Sequence, residues 1–75
     1  MYPSDNIVAT FDFVDHKGNS GTGRVVKDQF APSNERPYIP ESNTLGMGHH
    51  YGNAHTAAYD LVRRHGGDIV RYTEV

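Results

Sequence analysis

Three of the five histidines of this 75-residue chain fall within GMGHHYGNAH, residues 46–55. They are His49, His50 and His55, with Tyr51 among them. Imidazoles this close in sequence suit three kinds of chemistry. As neutral bases they ligate zinc, copper or nickel. Near neutral pH they give and take protons, so His49 or His50, with Tyr51, would serve as general base and acid. The third reading is a glycine-rich entry to a helix, where Gly46, Gly48 and Gly52 permit sharp bends and the free N–H groups of the helix start favour a phosphate or a partner's carboxylate.

The spacing decides among these. His50 and His55 are five residues apart, which is not the i,i+4 separation that puts two ligands on one helical face. His49 and His50 are adjacent and would point apart in an extended backbone. The chain has no cysteine, and the carboxylates nearest in kind, Glu41 and Asp60, stand at no recognised ligand spacing. No metal and no cofactor are expected. GMGHHYG is neither the G-x-x-x-x-G-K-[ST] phosphate loop nor a G-x-G-x-x-G following a strand. GNSGTGR (18–24) fails the same test, since a strand and not a helix follows it. The favoured reading is that Gly46, Gly48 and Gly52 bend the chain while the histidines and Tyr51 cover the end of a helix. No residue is assigned a catalytic role.

GHH ahead of a helix is loosely similar to the Gly-Ser-His-His stretch of the small toxin ribonucleases of the HicA family. The resemblance covers those few residues alone. It would imply RNA cleavage by the histidines, but those toxins begin with a helix and carry a basic RNA-binding surface. Seven Lys and Arg against nine Asp and Glu leave this chain at −2. That charge provides no excess to displace counterions from a nucleic-acid backbone.

The elements that position these residues follow from periodicity. NIVATFDFVD (6–15) alternates, with Ile7, Ala9, Phe11 and Phe13 on one face, as in a strand whose odd positions meet a core. HKGNSG (16–21) is a run of turn formers, and TGRVVKDQF (22–30) reads as the returning strand. Residues 31–52 hold three prolines and several Gly, Ser and Asn. They read as a long irregular loop, because proline is poorly tolerated in a central strand. In NAHTAAYDLVRRHGG (53–67), Asn53 is an N-cap. Ala54, Ala57, Ala58, Leu61, Val62 and His65 then recur at helical spacing. Asp60 and Arg64 form an i,i+4 pair, and Gly66-Gly67 ends the helix. DIVRYTEV (68–75) is a final strand. The expected fold is a single small α+β domain over 1–75. An antiparallel sheet, made of the N-terminal hairpin and the C-terminal strand, is packed by one helix in the order β-β-long loop-α-β.

Seventy-five residues bury a modest core, and a second copy of the chain is one way to complete it. No disulfide can form. No apolar run approaches the ~20 residues of a membrane span, and MYPSDN lacks the features of a signal peptide. The expected location is the cytoplasm.

Tyrosine occurs five times and lysine twice. Interfaces between proteins are rich in Tyr and Arg and poor in Lys. Tyr2, Tyr38 and Tyr51 fall in expected loops or the terminus. The leading functional expectation is a protein-binding module whose surface includes Tyr38, His49, His50, Tyr51, His55, Arg63 and Arg64. In size and style, though by no shared motif, it resembles the small inhibitors that bacteriophages encode against host defence or transcription proteins, anti-CRISPR proteins among them. Two alternatives are a nucleic-acid-binding or RNase-like protein using the histidines with Arg63, Arg64 and Arg71, and a metal- or ligand-binding regulatory domain.

Overall fold

The computed structural model describes residues 7–28 and 37–75. Five strands and one helix follow in chain order: β1 (Ile7–Val14), β2 (Ser20–Lys27), β3 (Tyr38–Ser42), β4 (Gly46–Met47), α1 (Ala54–Arg64) and β5 (Asp68–Glu74). The strands form one antiparallel sheet in the order β4-β3-β2-β1-β5. This is the α+β domain expected, with the hairpin and the C-terminal strand in one sheet under a single helix.

The hairpin turn is built from Asp15 and Gly18. The Gly18 amide donates to the Asp15 carbonyl, and Gly18 takes a φ of +87°. The Asp15 carboxylate accepts from the Lys17 and Asn19 amides. These bonds, the one from the Asn19 amide first, hold its pKa below the ordinary aspartate value. Beyond the turn, Phe11 stands opposite Gly23 and Phe13 opposite Gly21. Each ring lies across the glycine it faces. A Cβ on Gly23 would sit 2.3 Å from Phe11 Cζ, and one on Gly21 would sit 2.6 Å from Phe13 Cζ. The glycines thus make room for two flat aromatic side chains on the helix-facing side.

Ala9, Phe11, Phe13 and Val25 meet Ala54, Ala57, Ala58, Leu61 and Val62 of α1 in the core. The adjacent valines divide between the faces. Val25 belongs to this core, while Val26 is buried opposite Ile39 and outside it. Asn53 Oδ1 accepts from the Thr56 amide at 2.7 Å. The Gly67 and Gly66 amides donate to the carbonyls of Val62 and Arg63, and Gly66 has a φ of +78°. This is the paired Schellman stop of a helix C-terminus. His65 does not extend the apolar stripe as its spacing suggested. It is the exposed C-cap, already off the helical path.

The segment 31–52 is not an irregular loop throughout, because β3 and β4 lie within it. Pro40 is buried in the middle of β3, where a proline is disfavoured. The pairing explains the exception. In β3, Tyr38 and Pro40 turn their backbone groups away from β2. Tyr38 exchanges both bonds with Tyr51, and the Pro40 carbonyl accepts from Gly48 at 2.8 Å. The amide hydrogen that proline lacks would point to that outer side, so the β2–β3 ladder loses nothing. β2 ends at Lys27 and not at 30. Residues 29–36, and 1–6 with Tyr2, lie outside the described residues.

Candidate functional site

Beyond β4 the chain runs along the outer side of β3. Gly48 bonds to Pro40, and Tyr51 pairs with Tyr38. Between these two links the outer chain has two residues, His49 and His50, while β3 has one, Ile39. Two against one is the arrangement of a β-bulge, which re-aims side chains. His49 and His50 are thus set against a single residue of the facing strand. Both line one shallow concavity of about 600 Å³, together with Tyr51, Gly52 and Arg64. Gly48 sets the bulge against the domain. A Cβ there would meet Pro40 Cγ at 2.7 Å and approach Leu61 Cδ1 at 3.5 Å.

Asp60 ties together two of the residues that line this concavity, Tyr51 and Arg64. Its Oδ2 accepts from the Tyr51 hydroxyl and, at 2.5 Å, from Arg64 Nε. The Tyr51 hydroxyl first, and the guanidinium second, hold the Asp60 carboxyl pKa below the ordinary aspartate value. Asp60 in turn raises Arg64. Loss of water around the ring, and then the bond to Asp60, pushes the Tyr51 phenol up. His50 Nε2 lies 3.9 Å from Asp28 Oδ2. The side chains of His49 and His50 are exposed. The residues lining the concavity thus include one permanent cation, two histidines and a phenol whose hydroxyl is bonded to Asp60.

The other expected site residues go elsewhere. Tyr38 is a half-buried residue of β3, not a loop tyrosine, and it touches the concavity only through its backbone pairing with Tyr51. His55, on the first turn of α1, stacks on Tyr59 at 4.3 Å and meets the edge of Tyr72 at 5.1 Å between ring centroids. Arg63 is exposed and does not line the concavity. The arginine cluster does not form. Arg71 stands opposite Asp12 on the sheet face away from the helix, whereas Arg63 and Arg64 are on the helix. Among the described residues no three His, Cys, Asp or Glu side chains gather as a metal site requires. No described helix is long and apolar enough to cross a membrane.

A second feature escaped the sequence reading. The sheet face opposite α1 carries adjoining hollows lined by Asp12, Thr22, Arg24, Ser42 and Asn43, with Met47 at the rim. Arg24 there pairs with Glu41, a buried carboxylate on the adjacent strand. Only the strand register shows which polar residues share this face. Of the two long edges, β5 is kinked. Asp12 faces Arg71 and Phe13 faces Ile69, so Val70 is an unpaired bulge residue. A bulge of this kind discourages strand addition.

No protein-family model, curated protein or solved structure matches the chain.

Proposed function

We propose that the chain is a small protein-binding module that contacts its partner through the His49–His50 bulge, Tyr51 and Arg64. One observation carries this reading: the bulge displays two exposed imidazoles beside a guanidinium and a phenol that Asp60 already holds in place. A side chain ordered before binding loses less entropy on binding. The surface is shallow, which suits a protrusion of a partner better than an enclosed small substrate. Tyr and Arg are the residue types that dominate binding energy at such surfaces. The bulge in β5 argues that the partner does not add a strand to that edge.

For a module of this size we favour the role of a cytoplasmic inhibitor such as bacteriophages encode, with a host defence or transcription protein as its partner. The nucleic-acid reading is weakened by the separation of Arg71 from Arg63 and Arg64. Affinity capture from nuclease-treated lysate tests the proposal, comparing the native chain with the His49→Ala/His50→Ala variant. A protein retained by the first and lost from the second, and then bound directly when purified, is expected. Equal retention by both, or material that nuclease removes, would refute it.

A further inference from the structure

We infer that the concavity between His49, His50 and Arg64 seats a single carboxylate, supplied by an aspartate or glutamate side chain of the protein partner. The inference rests on the binding-module reading and adds the chemistry of the group bound. Arg64 has five N–H donors. Its Nε is committed to Asp60, which leaves Nη donors beside the concavity it lines. A planar guanidinium edge matches a planar carboxylate, and such charge-assisted pairs are strong and directional. His49 and His50 of the bulge both line the same concavity, and an imidazole has an N–H to donate. The Tyr51 hydroxyl cannot be drawn to the ligand as a donor, because it donates to Asp60.

Charge separates a carboxylate from a phosphate. The site holds one permanent cation, and two carboxylates stand close. Asp60 is bonded to Tyr51 and Arg64, and Asp28 lies 3.9 Å from His50. Asp28 has further partners of its own. These acids repel a singly charged anion less than a dianion or a run of phosphates.

Chemical-shift titration of the intact chain tests this with four probes: a capped Gly-Glu-Gly peptide, the matching Gly-Gln-Gly peptide, inorganic phosphate and an oligouridine. The glutamate peptide is expected to move the His49 and His50 ring signals, the Arg64 Nε–H and the Gly52 amide in a saturable way. The glutamine peptide should leave them unmoved, and phosphate should bind more weakly than glutamate. His49→Gln/His50→Gln should weaken the glutamate peptide about tenfold, the loss of one charge-assisted bond or more. Arg64→Lys retains the charge without the fork and should also weaken it. Unchanged amide signals in the sheet show that both variants are folded.

Absence of shifts at the highest soluble peptide concentration, equal shifts with the glutamine peptide, or unweakened binding in both variants would overturn the inference. So would preference for phosphate, or displacement of the glutamate peptide by oligouridine. If a protein partner is captured but the glutamate peptide does not bind, the carboxylate seat fails and the module reading stands. If the peptide binds as described and no protein is captured, the seat stands and the module reading fails.

Discussion

Tyr51 and Asp60 are nine residues apart, and the phenol of one donates to the carboxylate of the other. This bond ties the bulged chain after β4 to the middle of α1. Arg64 joins the same carboxylate oxygen from one turn further along. The surface we assign to binding is therefore braced at a single acidic group.

That brace should be visible in acid. Asp60 has a folded-state pKa below its unfolded value, so its contribution is present above the unfolded pKa and lost as pH falls through the folded one. The window opens below about pH 4, the ordinary aspartate value. Asp15 contributes with the same sign. Asp60→Asn should lower stability at pH 7 and flatten the loss between neutral and acid conditions. Denaturant midpoints across that range check it, and an unaltered profile would show that the carboxylate does not brace the fold.

In alkali the sign reverses. Tyr51, through burial and Asp60, and Tyr72, through burial and Glu74, both ionise above the ordinary phenol value. Their contribution is present below about pH 10 and is lost as pH rises through the raised values. Absorbance titration near the phenolate band should contain a late component that Tyr51→Phe reduces. The same variant should cost about 1 kcal/mol at neutral pH through the lost hydrogen bond.

Gly23→Ala should destabilise by about 1–3 kcal/mol, as overpacking does. Its Cβ would press on Phe11 Cζ and lie 2.9 Å from the Glu41 carbonyl. Backbone sits on one side and the central core ring on the other, so neither neighbour yields readily. Thermal melts of Gly23→Ala against Gly18→Ala distinguish crowding from turn conformation. Gly18 has open space around it and a positive φ.

Leu61→Ala should cost about 2–5 kcal/mol. Leu61 is 3% exposed and belongs to the helix stripe packed on Phe11 and Phe13. In a domain of this size such a loss takes up most of the available stability. A melting curve close to the native one would remove the stripe from the core.

Local signals carried much of this architecture. The helix was readable from Asn53, the recurrence of Ala57, Ala58, Leu61 and Val62, and Gly66. β1 was readable from the alternation of Ala9, Phe11 and Phe13. β3 was hidden by Pro40, because the cost of a proline depends on which side of the strand its missing amide faces. That side is set by the long-range pairing of Tyr38 with Tyr51. The site divides in the same way. Asp60 with Arg64 follows from spacing within one helix, but Tyr51 reaches Asp60 only through the tertiary fold. The histidines stood out by residue type. Their convergence depends on the register that sets them both against Ile39, and no local pattern encodes it. Arg71 looked close to Arg63 in sequence, yet strand alternation sends it to the opposite face of the sheet.

The most direct test of the binding surface compares two double variants for affinity toward the captured partner, over a range of salt. One is His49→Ala/His50→Ala, and the other is Arg63→Ala/Arg71→Ala. Isothermal titration at each salt concentration gives the dissociation constants, with oligonucleotide titrated in parallel. The account predicts a loss of about thirtyfold for the histidine pair, corresponding to ~2 kcal/mol of interface energy. It predicts a small change for the arginine pair, and no comparable binding of nucleic acid. Tight oligonucleotide binding that falls steeply with salt, vanishes with the arginines and survives loss of the histidines would contradict it.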